Sequence, residues 1–176
     1  VHWDTYDNLT IENSLFINNI SSNSGGAISY HSYYTKPRIV NTVFANNTAE
    51  LEGSAIYLDS SVRSLEVVNS LFINNPNTIR LSGYNDFIVA NSFFSDEDNI
   101  LSGSENTIVE LHNNYINDDK ITVNAFKLNN IFEGVITSFT DVGNNNYTLT
   151  SDSELIDIGV RDLTSISYPE FDLNGN

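Results

Sequence analysis

The chain has no cysteine and no methionine, only three prolines, and seven lysines and arginines against 23 aspartates and glutamates. Without thiols there is neither a disulfide framework nor a thiolate metal site. A net charge of −16 repels phosphate backbones and anionic lipid headgroups, which argues against nucleic acid and charged membrane surfaces as partners. No apolar run approaches the ~18 residues of a membrane span, so no membrane insertion is expected within this segment. No secretory leader and no initiator methionine are visible, and the expectation is a mature or excised segment of a longer exported protein. Helical periodicity is missing as well, because no apolar pattern of helical spacing persists over about ten residues.

What is present is apolar and repetitive. Hydrophobic residues make up 40% of the chain, enough for a packed core and too many for a disordered tail. Asn occurs 27 times. It is a weak former of helices and strands but tolerates left-handed turns, so its abundance predicts many turns at regular places. The string NSLFINN at Asn13–Asn19 recurs unchanged at Asn69–Asn75, with NTVFANN at Asn41–Asn47 between them. Weaker copies begin at Asn91, His112 and Asn129. Their aromatics, Phe16, Phe44, Phe72, Phe94, Tyr115 and Phe132, form one row at a drifting period. Val1, Ile28, Ile56, Ile79, Ile100 and Ile121 form a second.

Short β-branched segments between turns, with a repeat near 22–28 residues, fit a coil of three strands and three turns. Stacked coils bury together the inward faces that no coil can bury alone. The expectation is an all-β solenoid of about six to seven rungs. Residues 1–135 would form the rungs, beginning inside a rung, and residues 136–176 a closing segment. The Phe row should stack inside. Asn13, Asn41, Asn69, Asn91 and Asn129 should form a structural Asn ladder at the turns. A leucine-rich repeat, a calcium-binding nonapeptide roll and a β-sandwich all lack their sequence signatures here.

FINN (Phe16–Asn19) followed by GGAI (Gly25–Ile28), and FANN (Phe44–Asn47) followed by GSAI (Gly53–Ile56), resemble the paired motifs of polymorphic outer-membrane-protein repeats. Residues 1–135 as a whole resemble the Asn-rich β-helix repeats of adhesin-like surface proteins, within the pectin-lyase-like superfamily. No GGA follows Phe94 or Phe132, so the first three rungs carry the likeness. The tail, NNYTLTSDSELIDIG (Asn145–Gly159) and FDLNGN (Phe171–Asn176), resembles the ending that closes many secreted β-helix domains. Asp157 and Asp172 match that closing motif. The resemblance implies a right-handed parallel β-helix, an extracellular or cell-surface location, and recognition of a cell-surface glycan or protein.

Chemistry is harder to find. Polyuronate lyases need a Lys or Arg beside the sugar, and Lys36, Arg38, Arg63, Arg80, Lys120, Lys127 and Arg161 do not share a rung position. A polyanionic substrate would also be repelled. The carboxylate set of the related hydrolases is missing; Asp118-Asp119 is a lone pair at a rung edge, read as solvated. Asp96-Glu97-Asp98 could hold calcium with backbone carbonyls but lacks the spacing of a dedicated loop, so it too reads as a solvated turn. His2, His31 and His112 fall at unrelated rung positions and do not stack into a zinc site. No catalytic residue, metal or cofactor is therefore expected.

The first two coils are about six residues longer than the later ones, and extra length maps to loops. The loop YHSYYTKPR (Tyr30–Arg38) carries three tyrosines and a histidine, a composition suited to sugar stacking or protein contact. His31, Tyr33 and Tyr34 are the expected ligand-binding residues. Trp3 and Tyr30 share a row with Leu58 and Leu81 and read as core. Asn8, Asn19, Asn46 and Asn146 head N-glycosylation sequons. The leading expectation is a non-enzymatic adhesin-type module. The alternatives are a filament subunit that stacks end to end, and a polysaccharide lyase or hydrolase.

Overall fold

The computed structural model describes residues 2–3, 9–32, 36–83, 86–95, 98–128, 130 and 139–154, with the side chains of 2, 3, 86, 118 and 126–128 left aside. These residues are nearly all β. The only helical pieces among them are the 3-10 turns Asp118–Lys120 and Val142–Asn144. No helix among them is long and apolar enough to cross a membrane.

Three parallel sheets hold most of the strands, and each collects one segment from successive sequence repeats. The first sheet joins His2–Trp3, Ile28–Tyr30, Ile56–Leu58, Ile79–Leu81 and Leu101–Gly103. The second joins Thr10–Glu12, Arg38–Val40, Leu65–Val68, Asp86–Ala90, Ile108–His112 and Asn124–Leu128. The third joins Leu15–Ile17, Val43–Ala45, Leu71–Ile73 and Phe93–Phe94. Within these sheets each strand pairs in register with its equivalent in a neighbouring repeat, as stacked coils require; the arrangement is compatible with a parallel β-helix. Trp3, Tyr30, Leu58 and Leu81 lie on one line of register, and Tyr30 is buried.

The turns explain the Asn content. Asn13, Asn41, Asn69 and Asn91 all have φ between 48° and 50°, the left-handed region that Asn tolerates better than other side chains. Asn113 occupies the same conformation one repeat on, and Asn129 lies outside the described residues. Each of Asn13, Asn41, Asn69 and Asn91 donates its backbone N–H to a carbonyl of the next coil at 3.0–3.1 Å. Asn41 Nδ2 also donates to Asn13 Oδ1 at 3.2 Å. Gly25 and Gly53 are left-handed too, at φ 75° and 66°, and a Cβ there would meet the carbonyl oxygens of Ile28 and Ile56 at 2.4 and 2.3 Å. The glycines of GGAI and GSAI are therefore conformational. In the third coil Asn77, at φ 50°, supplies the same turn without glycine.

A deeper Asn ladder runs beside these turns. Asn19 Nδ2 donates to Asn47 Oδ1 at 2.8 Å, and Asn47 Nδ2 donates to Asn75 Oδ1 at 2.9 Å. Asn47 and Asn75 are fully buried, and their amides also reach the carbonyls of Phe16 and Phe44 at 2.9 and 3.0 Å. Asn47 thus finds partners in the coils on both sides, and Asn75 in the preceding coil and its own, which offsets the cost of burying each amide.

Phe16, Phe44, Phe72 and Phe94 stack as a column with ring centroids 5.1, 4.9 and 4.6 Å apart and planes within 6°. The row then changes occupant. Tyr115 pairs with Phe93, so it continues the neighbouring row through Leu15, Val43 and Leu71, and Ile116 is the buried residue that follows Phe94 inward. The Ile row shifts likewise: Ile79 pairs with Leu101, and Leu101 with Ile121, so Ile100 stands one residue off the line. Both corrections arise where the coil shortens from 28 to 22 residues between hydrogen-bonded equivalents. Aligning aromatic with aromatic hides a shift of one residue, which reverses the face of every side chain.

A second apolar cluster lies away from the main core and includes Val43, Ala45, Ile73, Phe93 and Tyr147. The antiparallel pair Phe139–Asp141 and Asn146–Leu149 contributes to it. Phe139 meets Phe93 edge-on at 5.7 Å, so the start of the expected closing segment packs on the third sheet. Residues 155–176, including Asp157 and Asp172, lie outside the described residues.

Candidate functional site: a groove on the first sheet

Ser29 and His31 are two residues apart on one chain segment, so they share the outward face of the first sheet. In-register stacking brings Tyr57 beside Ser29, and Asp59 follows at the repeat position of His31. His31 Nδ1 lies 3.0 Å from Asp59 Oδ2, and His31 Nε2 lies 2.9 Å from Ser29 Oγ. The His31 ring stands 5.9 Å from that of Tyr57. The side chains of His31 and Asp59 are about one-third exposed, at 33% and 30%, so the set is reachable from solvent yet partly sheltered.

Asp59 is held from its other side. Its Oδ1 accepts from the Ser61 N–H at 2.7 Å and from the Ser61 hydroxyl. Burial pushes the Asp59 carboxyl up. The Ser61 hydrogen bonds, with the hydrogen bond and charge of His31, outweigh that and hold it below its ordinary value. Asp59 is therefore a carboxylate at neutral pH, which favours a proton on His31 Nδ1 and leaves Nε2 to accept.

An open groove of about 490 Å³ runs here, lined by residues of the 20–26 turn together with Ser29, His31 and Tyr57. Its lining residues include Ser21, Asn23, Ser24, Tyr57 and His31, and the Ser21 hydroxyl accepts from the Asn23 N–H at 3.1 Å.

Of the expected ligand-binding residues, His31 lines this groove; Tyr33 and Tyr34 lie outside the described residues. Ser29, Tyr57 and Asp59 were not anticipated. Their signal was available, since Ser29-x-His31 sets both on one face and Asp59 lies 28 residues from His31. The histidine positions alone do not reveal it, because His31 pairs with a carboxylate one coil on and not with another histidine. Among the sequons, Asn19, Asn46 and Asn146 are exposed, and Asn8 lies outside the described residues. Asn19 gives its amide to the buried ladder.

Two of the arginines are held by carboxylates away from the groove. Arg38 sits between Glu66, at 2.8 Å, and Glu12, at 3.7 Å. Arg80 lies 3.3 Å from Glu52. Asp119 is exposed in its 3-10 turn, Asp98 is exposed, and Asp96 and Glu97 lie outside the described residues. His112 Nε2 lies 3.2 Å from Glu110 Oε2, away from His31. Among the described residues no group of three or more His, Asp or Glu is placed to hold a metal ion.

No family model, curated protein or solved structure matches the chain.

Proposed function

We propose that the chain is a right-handed parallel β-helix module of six to seven rungs, closed by residues 136–176, that works outside the cell as an adhesin-like recognition surface. The observation that carries the functional reading is the groove of about 490 Å³ beside His31 and Tyr57. Its polar walls and single aromatic face fit a glycan chain better than a lipid tail. The net charge of −16 favours neutral over acidic polymers. His31, the second residue of the Tyr30–Arg38 loop, lines the groove.

The test is retention of the purified chain on a panel of immobilised glycans, repeated with Tyr57→Ala and His31→Ala. Retention on neutral polymers that falls at least about tenfold in both variants supports the reading. Retention that both variants keep, or none on any polymer, contradicts it.

A further inference from the structure

We infer that Ser29, His31 and Asp59 form a nucleophile, base and orienting carboxylate that hydrolyse O-acyl esters on a neutral sugar chain lying in the groove. The inference departs from the expectation that the chain has no catalytic residues, and it rests on the reading of this groove as a glycan site. Three geometric facts carry it. The Ser29 hydroxyl is within hydrogen-bond reach of His31 Nε2, at 2.9 Å. The opposite ring nitrogen is held by Asp59 at 3.0 Å. Ser29 and His31 both line an open groove large enough for a substrate. Nucleophile to base and base to orienter are the two contacts that define this chemistry whatever the fold or chain order.

The Ser29 oxygen attacks the ester carbonyl carbon while its proton passes to His31 Nε2. The bond from that carbon to the sugar oxygen breaks, and His31 returns the proton to the departing sugar hydroxyl. Water then attacks the acyl-serine and gives its proton to Nε2. The bond between the acyl carbon and Ser29 Oγ breaks, Oγ recovers the proton, and a carboxylic acid leaves. Ester and water become alcohol and acid with nothing else consumed. Asp59 is a positioning residue that fixes the imidazole and stabilises its charged form. The backbone N–H groups of Gly25 and Gly26 are already donated to Glu52 and Gly53 carbonyls. Those two N–H groups are therefore not free to receive an oxyanion, and Asn23 is the lining residue whose side chain carries an amide donor of the kind that role needs. A shallow polar groove suits a small acyl group such as acetyl, and the acidic surface selects against a polyuronate backbone.

The experiment combines two readouts on the intact chain. A fluorescent fluorophosphonate is added and the modified peptide mapped by mass spectrometry. Acetate release is then followed from O-acetylated glucomannan, with retention on the same polymer scored separately. The expected results are a label on Ser29, and acetate release that falls at least about 100-fold in Ser29→Ala and His31→Gln. In Asp59→Asn, kcat should fall while KM stays near the wild-type value. Because mapping uses the unaltered protein, it holds even if a variant misfolds. Retention without a Ser29 label or acetate release overturns the hydrolysis and leaves the binding reading standing. Release that survives Ser29→Ala also overturns it. Loss of both retention and release overturns both readings.

Discussion

A left-handed backbone costs most L-residues about 1–2 kcal/mol, and Asn least among those with side chains. Repetition makes that preference a folding instruction: Asn13, Asn41, Asn69, Asn91 and Asn113 each turn the chain at the same place. Asn69→Gly should therefore change stability little, whereas Asn69→Val should cost about 2 kcal/mol in urea unfolding. The buried amides are a different case. Asn47→Ala would strip Phe16 O of its donor and the Asn19 N–H of its acceptor, and should cost about 2–4 kcal/mol. Equal, small losses for Asn47→Ala and Asn69→Gly would contradict the distinction. The turn role of Asn was legible in composition and spacing. Which Asn of each pair is buried was not, because adjacent identical residues carry no facing information until the turn geometry is known.

Titration at Asp59 gives a second test on the residue scale. Its folded pKa lies below the ordinary 3.8, so its interactions stabilise the fold fully above that value. That stabilisation is lost as pH falls from 3.8 through the lower folded value. Melting temperature measured against pH should drop more steeply over that acid window for the wild type than for Asp59→Asn. Parallel curves would show that Asp59 makes no net bond that the fold feels.

Among the elements, the Phe column separates interior from end. Phe72 is fully buried between two rings, while Phe16 is half-buried with one stacked neighbour. Phe72→Ala should cost about 3–5 kcal/mol by removing area and leaving a cavity, and Phe16→Ala clearly less. Similar urea midpoints for the two variants would argue against a continuous column. The first three rings could be read from the sequence because a 28-residue spacing repeats with closely similar flanks, and Phe94 because Asn91-Ser92 keeps the start of the motif. Tyr115 and Ile100 could not be placed, because the shorter coils offer two adjacent apolar residues, Phe93-Phe94 and Ile100-Leu101, and only the hydrogen-bond register chooses between them. The strand pair at 139–149 was also hidden. Its contact with Phe93 joins residues far apart in sequence, and no repeat announces it.

At the scale of the whole molecule, register creates the groove. His31 meets Asp59, and Ser29 lies beside Tyr57, only because one coil rests on the next without slippage. A slip of one residue would turn these side chains to the opposite face. The same dependence explains why the site was only partly legible. Its residues are unremarkable along the chain and become neighbours through the 28-residue offset. Binding and hydrolysis as proposed both stand on that stacking.

The cysteine-free background permits a direct measurement of it. Ile20 and Thr48 are register partners, both exposed. Two cysteines there would sit one strand spacing, about 4.8 Å, apart, within the Cα separation a disulfide accepts. Moving the second cysteine to Glu50 keeps the face but lengthens the span to about 8 Å, beyond that range. The prediction is rapid oxidation of the Ile20→Cys, Thr48→Cys protein to an intramolecular disulfide, with little oxidation of Ile20→Cys, Glu50→Cys. Equal crosslinking of both pairs, or a preference for Glu50, would contradict the in-register stack on which the groove depends.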